Sequence, residues 1–119
     1  MATVTFVDET TAGERSDGWH LEIFEERLPL REVIRRRVFQ EVAEHNARGA
    51  TGAFRGLVQP ADPRHADPEK QFARAVEAFS RNGFIVLVDE GQVDELDDMV
   101  ELRMGTEITF LKLVPLVGG

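Results

Sequence analysis

Alternating apolar and polar residues predict two strands at the start of the chain. Val4 and Phe6 alternate with threonines, and Leu21 and Ile23 alternate in the same way within Trp19–Glu25. A spacing of two residues places side chains on one face of a strand. Turn-forming residues fill the segment between the two strands, so the pattern predicts a β-hairpin.

A four-residue spacing of apolar side chains then predicts a helix. Leu30, Ile34, Val38 and Val42 recur at this interval, and a proline directly precedes the first of them. Proline is well suited to the first position of a helix, and the spacing forms one apolar stripe along its side. We therefore expect an amphipathic helix over Pro29–His45.

Glycines and prolines interrupt the next segment too often for a regular element, which indicates a loop over residues 46–66. Asp67 and Pro68 are typical of an N-cap and a first helical turn, and Gly83 is expected to end the helix that they begin. The pattern thus predicts that residues 46–82 form an insertion containing a loop and a second helix.

Three further strands are predicted after this insertion. The continuous apolar run Phe84–Val88 is typical of a central strand buried on both faces, and a turn at residues 89–91 should lead into a short partner strand around Val93. Alternation predicts a last strand over Glu107–Val114. A sheet covered by one long helix is an α+β, two-layer design, and 119 residues suffice for a single domain spanning 1–119.

Composition narrows the classes of partner and chemistry. The chain has 22 acidic and 14 basic residues, a net charge of −8, which argues against nucleic acid and anionic membrane surfaces as partners. It contains no cysteine, which excludes disulfides and thiolate chemistry of its own. The N-terminus lacks a signal-peptide pattern and no segment approaches the ~20 apolar residues of a membrane helix, so we expect a cytoplasmic protein.

Few side chains are patterned for catalysis. The spacing of His20, His45 and His65 indicates no metal or catalytic site, and we interpret them as surface or capping residues that hold no cofactor. The basic turn at residues 35–37 is interpreted as a solvated helix face. Seven acidic residues between positions 89 and 101 either steer a basic partner or form a solvated edge.

From Asn82 onward the sequence resembles the second half of ubiquitin. Phe84–Val93 resembles its third strand, tight turn and short fourth strand, and Glu107–Gly119 resembles its fifth strand and diglycine tail. The tail is also similar to those of bacterial sulfur carriers in molybdopterin and thiamine synthesis, since Pro115 shortly precedes Gly-Gly. The resemblance implies a ubiquitin-like β-grasp fold, a mixed sheet packed on one main helix, with a flexible tail over 115–119.

This resemblance implies a bacterial ubiquitin-like modifier that is not itself an enzyme. An activating enzyme would adenylate the carboxylate of Gly119, and the acyl group would pass through a thioester to a target amine. Gly118 and Gly119 suit this role because a backbone without Cβ can thread a narrow channel. The implied partners are the activating enzyme, a conjugating enzyme and an isopeptidase.

Two other functions remain open: a sulfur carrier bearing a C-terminal thiocarboxylate, and a non-covalent β-grasp interaction domain. The terminal Gly-Gly could also be an expression remnant or a frayed end. Leu87 and Leu113 align with the exposed apolar patch of ubiquitin and are candidate docking residues, although both could instead complete the core. The tail residues Leu116 and Val117 are further docking candidates.

Overall fold

The structure is a computed structural model that describes residues 2–16, 18–49, 54, 56–62, 64 and 66–114. It has an α+β fold with a five-stranded mixed sheet and two helices, which confirms the predicted class at that level. Met1–Leu30 and Asn82–Gly119 form one compact unit, and Arg31–Arg81 form another. Within the described ranges, no helix is both long and apolar enough to cross a membrane.

The first unit contains seven strands, two of them in a small separate sheet. The elements in chain order are β1 (Ala2–Thr10), β2 (Trp19–Ile23), β3 (Arg27–Pro29), α1 (Leu30–Ala47), α2 (Pro68–Ser80), β4 (Phe84–Val88), β5 (Gly91–Val93), β6 (Met99–Glu101) and β7 (Glu107–Lys112). The main sheet has the order β2-β1-β7-β4-β5. The pair β1–β7 is parallel and the other pairs are antiparallel.

The strands predicted from the alternation pattern are present and paired. The opening hairpin joins β1 to β2, with Val4 opposite Leu21. Val86 lies opposite Phe110, so β4 and β7 are neighbours, and Val88 lies opposite Gly91 across the predicted turn into β5. The predicted last strand is two residues too long, because β7 ends at Lys112.

The prediction that Phe84–Val88 is a central strand buried on both faces is wrong. Phe84 and Val86 are buried, but Ile85, Leu87 and Val88 are only half-buried. The central strand is β7, and β4 is separated from the sheet edge only by the three-residue strand β5. One face of β4 therefore keeps partial access to solvent.

The other face of the main sheet carries the apolar core of this unit. Phe110, at its centre, packs its ring 5.7 Å from that of Phe6 and 6.1 Å from that of Phe84, and Phe6 also meets Trp19 edge-on. These contacts combine residues from four different strands. The fully buried side chains on this face include Val4, Phe6, Ile23, Val86, Ile108 and Phe110.

The two-stranded sheet of β3 and β6 was not predicted. Leu28 and Val100 lie opposite each other and are buried, while their strand neighbours are more exposed. Three residues are too few for a recognisable alternation pattern. Pro29 ends β3 instead of beginning the helix, and Leu30, whose amide donates to the carbonyl of Asp98 at 2.9 Å, begins α1.

The second unit consists of helical and irregular segments. Helix α1 extends two residues beyond its predicted end, to Ala47, and α2 begins at the predicted Pro68. The Asp67 side chain accepts the amide N–H of Lys70 at 3.0 Å, as expected of an N-cap. Helix α2 ends at Ser80, before the predicted Gly83, and no helix or strand lies in the described part of 48–66.

The interpretation of residues 35–37 as a solvated face is wrong for Arg37, whose side chain is 1% exposed. Arg37 Nε lies 3.4 Å from the Oε1 of Glu41, and Oε2 of Glu41 accepts the amide N–H of Leu57 at 2.9 Å. A buried charge is stable only when it is paired in this way. The network ties the irregular segment around Leu57 to helix α1.

His45 is likewise buried, which corrects its interpretation as a surface residue. Its ring meets the ring of Phe54 edge-on at 5.0 Å, beside a small apolar cluster of Val42, Phe54 and Ala66. At the end of α1 this imidazole acts as a flat packing surface. His20 is exposed as predicted, and His65 lies outside the described residues.

Arg35, in the same basic turn, is half-buried. Its guanidinium donates to Glu69 Oε1 at 2.6 Å and lies 4.4 Å from the ring centre of Phe39. The hydrogen bond to Glu69 raises the pKa of Arg35 above its usual value. Arg35 and Arg37 of the basic turn therefore make contacts inside this unit, which the sequence pattern alone does not show.

Candidate functional site

The predicted activation site lies outside the described residues. Gly118 and Gly119, together with the docking candidates Leu116 and Val117, belong to that part of the chain. The structure does describe the segment that leads towards them. This segment is the end of β7 and the two residues after it.

Hydrogen bonds hold the chain on both sides up to Val114. The amide of Leu113 donates to the carbonyl of Gly83 at 3.1 Å, and the amide of Val114 donates to Oγ1 of Thr11 at 2.9 Å. The amide of Thr11 in turn donates to the carbonyl of Lys112 at 3.0 Å. The candidate tail thus begins directly after an anchored segment of the central strand.

The two remaining docking candidates lie on the less buried face of the main sheet, which we call the open face. Leu87 lies opposite Thr109 and Ile85 opposite Leu111. Because side chains alternate along a strand, these four residues share the open face, and Leu113 continues it. Leu87 and Leu113 are about 13 Å apart along the strand direction, at roughly 3.3 Å per residue.

Neither leucine completes the core. Leu113 is 40% exposed and Leu87 is half-buried, whereas the core residues of the sheet are at most a few per cent exposed. The alternative interpretation as a core side chain does not fit the exposed Leu113, and Leu87 is only partly covered. The two leucines are placed where a partner could reach them.

The same face carries a groove of about 550 Å³ that extends from Leu87 away from the tail. Arg15 lies opposite Glu9 across an isolated antiparallel bridge, and its guanidinium forms an ion pair with the Glu9 carboxylate. Its other terminal nitrogen lies 3.0 Å from Oε1 of Glu107. One half-exposed arginine therefore connects β1 to β7 across the groove.

Two buried residues lie beneath this bridge. Val7 lies opposite Thr109 in the parallel pair of β1 and β7. Glu9 is two residues beyond Val7, and Glu107 is two residues before Thr109, so the guanidinium that reaches both carboxylates spans this pair. Val7 is 3% and Thr109 7% exposed. Leu87 and Thr109 form the floor of the groove, and charged residues form its rim.

The β4–β5 turn adds two more carboxylates to the rim. Asp89 forms two hydrogen bonds with the backbone of Glu107. The amide of Asp89 donates to the Glu107 carbonyl at 2.9 Å, and Oδ1 of Asp89 accepts the Glu107 amide at 3.0 Å. Asp89 and Glu90 have φ values of 46° and 76°, in the left-handed region. With Glu9 and Glu107 they bring the number of acidic residues that line the groove to four, beside the single arginine.

The sequence pattern did not reveal this groove. Glu9, Arg15 and Glu107 were not candidates, and Asp89 and Glu90 were noted only as part of an acidic stretch. The alternation of side chains along β1 and β7 does place Glu9 and Glu107 on the same face as Val7 and Thr109. Their proximity depends on the parallel register of β1 with β7, which is set by residues far apart in sequence.

Neither a metal site in the described part of the chain nor a similar known protein helps to interpret this geometry. Among the described residues, no group of three or more histidine and acidic side chains is placed to hold a metal ion. No family model, curated protein or solved structure matches the chain significantly. The site is therefore interpreted from its own residues.

Proposed function

We propose that the chain is a ubiquitin-like protein modifier with a β-grasp fold, activated at the carboxylate of Gly119. The observation that supports this most is the position of β7. This strand is the centre of the sheet, parallel to β1 and antiparallel to β4. In the sequence, Gly119 lies seven residues after the end of this strand at Lys112. The pairing of β4 with β5 and β7 also agrees with the resemblance to the second half of ubiquitin.

The proposed chemistry uses the chain as an acyl donor. The Gly119 carboxylate attacks the α-phosphate of ATP, which forms an acyl-adenylate and releases pyrophosphate. A thiolate of the activating enzyme then attacks the acyl carbon and AMP leaves; this sulfur belongs to the partner, because the chain has no cysteine. A target amine finally displaces the thiolate and forms an amide bond.

Docking and transfer would use separate parts of the molecule. Leu87 and Leu113 on the open face, together with Leu116 and Val117, would contact the activating enzyme, a conjugating enzyme or an isopeptidase. The anchoring of Leu113 and Val114 on both sides fixes where the acyl-bearing segment begins relative to the open face. A partner enzyme with a channel-shaped active site needs a docking surface at a fixed position beside the segment that enters the channel.

The second candidate is a sulfur carrier. Pro115 shortly precedes Gly-Gly, as in the bacterial sulfur carriers that the tail resembles. In this case hydrosulfide would attack the acyl carbon of the acyl-adenylate, AMP would leave, and the C-terminus would become a thiocarboxylate. A non-covalent interaction domain, the third candidate, would need neither ATP nor an activating enzyme.

The test is mass spectrometry of the intact chain ending at Gly119, incubated with ATP and an adenylating enzyme from the same genome, with and without added sulfide. An enzyme thioester or an amine adduct supports the modifier, and exchange of oxygen for sulfur at the C-terminus supports the sulfur carrier. Deleting Gly119 should abolish either product. Replacing Gly118 with valine should do the same, because a β-branched side chain restricts the backbone and widens the tail.

Both changes lie beyond Val114, the last residue that the structure describes, and we expect the free energy of unfolding to change by no more than about 0.5 kcal/mol, as for a surface substitution. Thermal denaturation provides this control for folding. A chain without Gly119 that still forms the adduct would contradict both covalent functions and leave the interaction domain.

A further inference from the structure

We infer that the groove on the open face binds a basic segment of a partner protein, an extended peptide that carries lysine or arginine side chains. This inference does not depend on the proposed activation of Gly119. It rests on three features of the described residues: the charge of the rim, the apolar side chain of Leu87 in the floor, and the way in which Arg15 is held.

The charge of the rim selects the sign of the occupant. Four acidic residues line the groove beside a single arginine, which leaves an excess of negative charge in a groove with low-dielectric walls. Glu9 and Glu107 are paired with Arg15, and Asp89 accepts a backbone N–H. Glu90 is exposed and, within the described residues, forms no ion pair. Its carboxylate is therefore accessible to an incoming cation.

The floor of the groove matches the rest of a basic side chain. Lysine and arginine have long apolar stems below their charged heads, and they cover apolar surface while the head remains near solvent. Leu87, which lines the groove and is half-buried, offers such a surface beside the carboxylates. An acidic peptide would be repelled, and a purely apolar one would leave the carboxylates desolvated without partners.

Within the chain, Arg15 makes the kind of contact that we infer for a basic side chain of the partner. Its guanidinium bridges Glu9 and Glu107 above Val7 and Thr109 while remaining half-exposed. We interpret it as a resident cation that occupies part of the groove. A basic partner would add to it at Asp89 and Glu90, or would compete with it at Glu9 and Glu107. A second copy of this chain is disfavoured as the occupant by its net charge of −8.

The test measures fluorescence anisotropy with a labelled hexapeptide that alternates lysine and leucine, at low and high salt. The same peptide with glutamate in place of lysine is the negative control. In the double variant Asp89→Asn, Glu90→Gln, we expect about tenfold weaker binding, because two exposed charge pairs are lost. Asparagine retains the acceptor for the Glu107 amide, and amide NMR spectra show whether the fold is preserved.

Matched variants separate the groove from the overall charge. Asp94→Asn with Glu95→Gln removes two charges from the same acidic stretch outside the groove, and binding should stay within about twofold. Arg15→Gln should tighten binding severalfold, because it removes the competing cation. Arg103→Gln changes the net charge equally but lies outside the groove, so it serves as the control for Arg15.

Four results would overturn the inference. The first is equal binding of the lysine and glutamate peptides, and the second is equal weakening in the groove and the control double variants. The third is weaker binding by Arg15→Gln in a chain that is still folded. Chemical shift changes at Leu87 and Glu107 on adding the lysine peptide would place it in the groove, and changes confined to other strands would also contradict the inference. Deleting residues 118 and 119 should not affect any of these measurements.

Discussion

The β4–β5 turn has an unfavourable backbone conformation that one substitution should relieve. Asp89 and Glu90, with φ of 46° and 76°, occupy the two central positions of a two-residue hairpin loop. Turns with positive φ at both positions favour asparagine followed by glycine. For an L-residue with a side chain, the left-handed conformation costs about 1–2 kcal/mol. Glutamate, unlike aspartate, rarely adopts it.

We expect Glu90→Gly to stabilise the protein, although most substitutions destabilise. Glycine removes the penalty of about 1–2 kcal/mol but loses about 0.5–1 kcal/mol more conformational entropy on folding. The Glu90 side chain is exposed and contributes no ion pair among the described residues, so little else is lost. The net gain is about 0.5–1 kcal/mol, or roughly 2–6 °C in melting temperature for a chain of this size.

The measurement is thermal and urea denaturation followed by circular dichroism. Glu95→Gly is the matched control, because Glu95 is also exposed and acidic but does not have positive φ. It should lose about 0.5–1 kcal/mol. If both glycine variants were destabilised to the same extent, the argument from backbone conformation would be wrong.

Two further predictions concern the second unit. Glu41→Gln should lower the free energy of unfolding by about 3 kcal/mol, because it removes the charge paired with the buried Arg37. Glu44→Gln, at an exposed position, should change it by no more than about 0.5 kcal/mol. Urea denaturation compares the two variants. Asp67→Ala should cost about 1 kcal/mol by removing the N-cap acceptor of the Lys70 amide, and Asp67→Asn, which retains an acceptor, should be nearly neutral by the same assay.

Local patterns predicted the elements that have strong local signals. The β-hairpin, the β4 strand with its turn, and the N-cap at Asp67 all depend on residues within a few positions of one another. The sheet of β3 and β6 has no such signal, because each strand has three residues and the pairing of Leu28 with Val100 spans most of the chain. The long-range register had to come from the structure.

Charged residues were the hardest to interpret from sequence. Arg37 and His45 were expected at the surface, since both residue types are mostly exposed in proteins. Arg37 is buried because Glu41, one helical turn away, pairs with it, and His45 is buried against the ring of Phe54. The Glu41 pairing is compatible with the helical spacing, but the contact with Phe54 depends on how the irregular segment folds back.

Glu90 connects the stability of the turn to the proposed binding of a basic segment. Unfavourable backbone conformations persist where the surrounding structure holds them, often at sites that bind ligands. If the groove binds cations, Glu90→Gly should have opposite effects in two assays: a higher melting temperature and weaker binding of the lysine peptide. A turn without a binding role would show only the first effect. Glu90→Asn provides the intermediate case, because asparagine tolerates positive φ yet carries no charge. It should bind the peptide as weakly as the glycine variant does, and binding at the unsubstituted level by either variant would show that Glu90 does not contribute to the groove.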